Sequence, residues 1–319
     1  MNSVTVITLA DEGYAMPLAV MVRSLLDHLG AGRTVRVVVV DGGIAPATKQ
    51  RLRDSWQGSE GWNRCQVEYV APCYGGARYL PVWGRVTVLT YARLSVDAYV
   101  PRGCDQAVLL DSDTLVLTDI GRLAETDLEG ATVAAAQDSY IPLVSSVGGI
   151  PAYAALGLKR SDKYFNAGVL LIDLERWRAD RVGPGAFAFI QRHWRTLQQY
   201  DQDSLNVALA GRWKELDPRW QVSPRTAHSL GHAPLDEPWI LHFSGRLKPW
   251  DYPGRERADV LFHQFVDRTT WRGTRPRRTL RSWVLRAYDS PARRLVYPIE
   301  KRLLTFGRHL VPRRVQLAA

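Results

Sequence analysis

Apolar runs broken by charged or glycine-containing stretches recur through the first two-thirds of the chain. Residues 4–9 (Val-Thr-Val-Ile-Thr-Leu) predict a buried strand followed by the loop Asp11-Glu12-Gly13. Residues 16–29 then place Leu18, Val22, Leu25, Leu26 and Leu29 at helical spacing. Residues 35–40 are nearly continuous in Val, as befits a strand covered on both faces. A helix over 47–56 and strands over 66–70 and 106–110 follow. Strands alternating with helices predict an α/β nucleotide-binding sheet, whose ligands sit at the carboxyl ends of strands. Asp11 and Asp111 both fall at such ends.

Beyond Asp113 the pattern becomes mixed. Residues 131–136 and 165–174 predict buried strands, 148–158 a loop, and 187–200 and 204–209 helices. A short strand over 239–243 leads into Ser244-Gly245-Arg246-Leu247-Lys248-Pro249-Trp250. After residue 262 the chain is basic and expected to be helical, broken by Pro276, Pro291, Pro298 and Pro312. The expected division is a catalytic domain over 1–262 and a basic, aromatic extension over 263–319.

Asp111-Ser112-Asp113 changes this picture most. It stands between two apolar runs, where paired carboxylates are costly unless a cation offsets their desolvation. On an extended segment residues i and i+2 share a side, so both acids can converge on one hard divalent ion. Such an ion suits the neutralisation of a diphosphate. His242, ending an apolar strand, could complete the site; alone it reads as a satisfied core or loop histidine. A His-carboxylate set suits Mn²⁺ at least as well as Mg²⁺. Gly245 would admit backbone N–H groups to a phosphate and Lys248 would bring charge, although the segment is otherwise an ordinary turn.

Other polar groups stand out against their surroundings. Asp201-Gln202-Asp203 opens a predicted helix with Asp201 as its N-cap, and it also offers acceptors and amide donors suited to sugar hydroxyls. Asn166 interrupts an apolar strand and must find partners in backbone or ligand. Arg93 is expected on a helix, as a site residue or a surface ion-pair member.

Charge is segregated. The chain carries +10 overall, and residues 268–319 hold 13 Arg and one Lys against Asp289 and Glu300. Trp271, Trp283, Tyr288 and Tyr297 lie among these arginines, a composition that suits an anionic membrane surface. The three cysteines, Cys65, Cys73 and Cys104, show no ligand spacing, and a reducing cytoplasm is expected. No run approaches the roughly 18 apolar residues of a membrane span, and residues 4–9 read as a strand rather than a leader. No nucleophile elbow, Walker loop or dinucleotide fingerprint follows a strand.

In order, Ala10-Asp11-Glu12-Gly13-Tyr14-Ala15, Thr90-Tyr91-Ala92-Arg93-Leu94, Leu110-Asp111-Ser112-Asp113, Phe165-Asn166-Ala167-Gly168-Val169-Leu170, Asp201-Gln202-Asp203-Ser204-Leu205-Asn206 and His242 through Trp250 resemble glycosyltransferase family 8. The resemblance is greatest to its bacterial lipooligosaccharide α-galactosyltransferase branch, with glycogenin more distant. It implies a GT-A fold with a mixed central sheet and retaining transfer of glucose or galactose from a UDP-sugar to a saccharide or lipid-linked acceptor. Asp111, Asp113 and His242 match manganese ligands, Asp11 a uridine-binding acid, and Gly245 and Lys248 the diphosphate turn. Arg93, Asn166, Asp201 and Gln202 match donor-sugar contacts, Gln202 lying beside the anomeric carbon with Asp201 as an alternative nucleophile. Asp138 matches a position facing the acceptor, and Ala10, Tyr14 and Ser112 join the substrate-binding set.

The chain departs from its relatives at Gly13, where they carry an amide, and in segments 83–86, 140–158 and 225–237. A cytoplasmic enzyme, peripheral on the inner membrane face, is expected. The rivals are a catalytically silent nucleotide-sugar-binding scaffold and a basic nucleic-acid-binding protein. The second leaves the aspartates unexplained, so no nucleic acid is expected.

Overall fold

The computed structural model describes residues 3–75, 79–82, 87–224, 237–245, 247–254, 256–277, 279 and 313–316. β1 (Ser3–Ala10) crosses the centre of the molecule. Val4, Val6 and Ala10 pack into one apolar cluster while Ile7 and Leu9 enter another on the opposite face. Two covered faces explain why β1 and its neighbour lack a polar alternation. α1 (Ala15–Asp27), β2 (Thr34–Asp41), α2 (Pro46–Gln57) and β3 (Cys65–Val70) follow. β4 (Tyr79–Val82) leads towards a 3₁₀ segment, Val88–Ala98, that carries Arg93.

β5 (Gln106–Leu110) then returns beside β1, and β6 (Thr114–Val116) leaves the main sheet. The chain continues through α3 (Gly121–Ala124), β7 (Val133–Gln137), β8 (Phe165–Asp173), α4 (Leu174–Ala179), α5 (Val182–His193), α6 (Asp201–Ala208) and β9 (Trp213–Glu215). β10 (Ile240–His242), α7 (Arg257–Val266) and β11 (Arg313–Gln316) complete the described elements.

The main sheet runs β3-β2-β1-β5-β8-β7-β9. Its β3-β2-β1-β5 half is parallel, whereas β8 is antiparallel to both β5 and β7. The chain proceeds outwards from β1 to β3 and resumes on the other side of β1 at β5. That reversal makes the carboxyl ends of β1 and β5 a switch point, the usual place for a ligand crevice. Because β8 runs the other way, its first residues, Phe165-Asn166-Ala167, lie beside the end of β5.

The expected mixed α/β sheet is present, with local differences. α5 begins at Val182 and ends at His193, earlier at both ends than the 187–200 expected. Gly183-Pro184-Gly185 reads as a helix breaker, yet proline is tolerated in a first turn, where its missing N–H costs nothing. Residues beyond α5 turn to reach Tyr200, at φ 55°. α4 is an unexpected short helix, nucleated by Asp173, whose carboxylate accepts from the Arg176 N–H.

The division expected at 262/263 falls inside α7. Beyond it, the Arg268 carbonyl accepts from Arg23, Thr270 bonds Ser55, and the Arg51 guanidinium lies 4.2 Å from the Trp271 ring centre. The helical character expected for the rest of the extension, including Trp283, Tyr288 and Tyr297, lies outside the described residues, as do segments 83–86 and 225–236. No helix among the described residues is long and apolar enough to cross a membrane.

Candidate active site

Asp111, Ser112 and Asp113 occupy a turn between β5 and β6, not the extended segment expected. The Thr114 N–H closes this turn on the Asp111 carbonyl at 3.1 Å. The two acids therefore converge through the turn and through their partners. β10 pairs antiparallel with β6, placing His242 opposite Thr114, and the Phe243 N–H donates to the Asp113 carbonyl. This ladder fixes the histidine backbone next to residues well over a hundred positions earlier.

Each aspartate has an outer and an inner oxygen. Asp111 Oδ1 pairs with Arg93 at 2.6 Å and Asp113 Oδ2 with the Lys248 ammonium. Their inner oxygens, Asp111 Oδ2 and Asp113 Oδ1, face His242 Nε2 at 3.5 and 3.3 Å. These separations exceed a good N–H···O bond. They are separations of the kind found between neighbouring ligand atoms that share one divalent cation. The three residues bring ligand atoms within 4.8 Å of one another. Two carboxylates and a neutral imidazole form a donor set for a divalent cation of intermediate hardness. The residues fit such an ion.

Gly168 explains the imidazole's position. A Cβ there would overlap His242 Cε1 and stand 2.6 Å from Nδ1. Nδ1 itself is buried with no hydrogen-bond partner among the described residues. The ring thus lies directly against the bare backbone of β8. Sequence reading missed this residue, although a glycine in the middle of a buried strand signals a close approach.

Burial raises the Asp113 pKa, but Lys248 and His242 outweigh it and hold the carboxyl well below its usual range. Arg93 is buried, which favours its neutral form, yet Asp111 and Asp201 keep it firmly cationic. Its Nη1 donates to the Ala167 carbonyl at 3.0 Å, and Nε lies 3.1 Å from Asp201 Oδ2. Arg93 is thus an interior bridge between two acids. Asp201 is the first residue of α6 rather than its cap; Tyr200 holds the cap position. Burial pushes the Asp201 pKa up to about 6, opposed by Arg93 and assisted by Asp111.

Gln202 and Asn166 meet at Asp138, with Nε2 and Nδ2 3.0 and 2.8 Å from Asp138 Oδ2. Asp203, read with its two neighbours as suited to sugar hydroxyls, instead accepts from Tyr164 Oη and from the Gln198 and Gln199 N–H groups, anchoring the turn into α6. At the end of β1, the Asp11 carboxylate caps a short turn by accepting from the Tyr14 N–H, and Ala10 is buried. Tyr14 meets Trp250 edge to face at 5.8 Å, linking this end of the crevice to the Lys248 segment. Gly245, at φ 86°, has open space where a side chain would stand, and Ser112 is buried.

A parallel half, a mixed half joined at its switch point, and an Asp-Asp-His cluster between them define a GT-A glycosyltransferase. Residues 5–254 match the family described as glycosyl transferase family 8, and the chain belongs to that family. It is 30% identical to General stress protein A of Bacillus subtilis over 83% of this chain and 94% of that one. It is 24% identical to the lipopolysaccharide 1,2-glucosyltransferase of Escherichia coli over 61% of this chain and 58% of that protein. The galactosyltransferase LgtC, crystallised with donor and acceptor sugar analogues, superposes with a TM-score of 0.69 at 26% identity. That match covers 85% of this chain and 99% of LgtC.

Proposed function

We propose that this enzyme transfers a hexose, glucose or galactose, from a UDP-sugar to a saccharide or lipid-linked acceptor with retention at the anomeric carbon. The observation that carries this reading is the convergence of Asp111, Asp113 and His242, each carboxylate braced from outside by Arg93 or Lys248. These three residues would hold Mn²⁺, with Mg²⁺ as the second choice. When bound, such an ion supplies positive charge against the leaving diphosphate.

The remaining roles fall to the chain's own groups. Asp11, Ala10 and Tyr14 bind the nucleoside at the end of β1. Gly245 and Lys248 contact the diphosphate, and Arg93, Asn166 and Asp201 hold the donor sugar, with Ser112 beside them. The acceptor hydroxyl attacks the anomeric carbon from the face that UDP leaves. The C1–O bond breaks with its electron pair on the diphosphate, whose oxygen takes the hydroxyl proton. Gln202 carries an amide, a poor nucleophile, so it serves by position and by its carbonyl dipole. A glycosyl adduct trapped on Asp201 would instead establish double displacement.

The catalytic domain on this reading extends past 262 to about Arg275, which pairs with Asp267 at 2.5 Å. The basic remainder would rest on an anionic membrane face; deleting residues 276–319 should then weaken binding to anionic liposomes. The function is tested by measuring UDP release from a panel of UDP-hexoses with Mn²⁺, Mg²⁺ or chelator, followed by NMR of the product anomer. Metal-independent turnover or an inverted product would overturn the assignment.

A further inference from the structure

Asp138 has a carboxylate whose two oxygens are both filled, and no ion pair accounts for it among the described residues. Its side chain is buried at 4% exposure. Oδ1 accepts from the Tyr140 and Ile141 N–H groups at 2.8 and 2.9 Å. Oδ2 accepts from Asn166 Nδ2 at 2.8 Å and Gln202 Nε2 at 3.0 Å. A carboxylate that itself bound the acceptor would keep a lone pair turned towards it. This one spends its oxygens on protein.

The far ends of the two amides are also occupied. Gln202 Oε1 accepts from the Ala167 N–H at 3.1 Å and Asn166 Oδ1 from the Gly168 N–H at 2.9 Å. An ionised carboxylate can only accept and a backbone N–H can only donate. Turning either amide over would set donor against donor at one end and acceptor against acceptor at the other. Asp138 at one end and the two backbone N–H groups at the other together decide which way both amides point.

We propose that Asp138 is a positioning residue that orients the Gln202 and Asn166 amides for the donor sugar and fastens them to the loop starting at Tyr140. That loop packs its own small cluster of Ile141, Val144, Ile150, Leu158 and Tyr164 and leaves Tyr140 47% exposed beside the site. One carboxylate thus ties the groups beside the reacting carbon to the segment expected to shape the acceptor pocket. This inference rests on the transferase reading above.

Asp138→Asn tests it: the Tyr140 and Ile141 N–H groups would keep the asparagine oxygen and so the loop, leaving its NH2 set against the Gln202 and Asn166 amides. The kcat for transfer should fall about 10²-fold, the scale expected when a reacting group is misplaced by about an ångström. Hydrolysis of the UDP-sugar without acceptor should fall by the same factor, and the acceptor KM should change less than about twofold. If hydrolysis stays at the wild-type rate while transfer fails or the acceptor KM rises, Asp138 serves the acceptor and the proposal is wrong. If the variant does not fold, selective ¹⁵N labelling of wild-type side-chain amides decides the matter. The Gln202 and Asn166 signals, identified by their loss in Q202E and N166D, should exchange slowly with solvent and lie downfield; fast exchange at ordinary shifts overturns the proposal. A wild-type protein inert towards every UDP-sugar would remove the functional reading, and the labelling arm would still judge the geometry.

Discussion

Two buried acids a few residues from the reacting groups are stabilised in opposite ways. Asp113 sits between Lys248 and His242, and formal charges hold it ionised. Asp138 is surrounded by four N–H donors from neutral groups. Charge-assisted bonds between side chains can be exchanged when a cation and a diphosphate arrive. Four bonds to backbone and amide groups offer no such exchange, and they confer a fixed direction. One corner is built to accept charge and the other to resist rearrangement.

The largest expected effect comes from breaking the first corner. Asp111→Ala should lower UDP-sugar turnover by roughly 10³-fold, since it removes an inner oxygen from the charge-stabilising centre. It also removes one of the two acids that Arg93 bridges. Steady-state kinetics with Mn²⁺ titration checks this, and near-normal turnover would remove the centre's role.

A subtler break leaves every charged group in place. Gly168→Ala drives a methyl group into the His242 ring, so Mn²⁺ affinity should fall about 10- to 100-fold, as for other changes that disorient a ligand. The overpacking should cost about 1–3 kcal/mol of folding stability. Isothermal titration with Mn²⁺ and thermal melts separate the two, and unaltered affinity would show that the ring does not depend on this backbone.

The smallest effect sharpens the contrast through pH. The Asp201 pKa stands at about 6 against the ordinary 3.8. Between those values the folded protein keeps a proton that the unfolded chain has released. Stability from this group is therefore full below about pH 4 and is lost as pH rises towards 6, levelling off above. Asp201→Asn lacks that dependence, so its melting temperature should gain on the wild type across this interval in chelator. Parallel curves would show that Asp201 is ionised throughout.

Much of the fold was legible because β1, β2, β5 and β8 are covered on both faces and advertise it as predominantly apolar runs. α5 was misplaced because its Gly-Pro-Gly opening looks like a breaker to local propensity, and tertiary packing overrides that. Within the site, Asp111 and Asp113 were legible as costly charges in an apolar setting. Their geometry was not, since a turn achieves the convergence expected of an extended segment. Asp201 offered a local explanation as a helix cap, and only the arrival of Arg93 from a distant segment shows otherwise. Gly168 was quoted within a motif without its function, because what it admits is a ring from a strand far along the chain.

The pairing of β10 with β6 carries a consequence for biosynthesis. A nascent chain emerging from the ribosome has both aspartates long before it has the histidine. Cation affinity should appear only after Phe243 has docked against the Asp113 carbonyl. On the proposed reading, truncated products ending before that point would keep the strands of the main sheet and lack the third ligand, so ion binding would report that the chain through Phe243 has been made and docked.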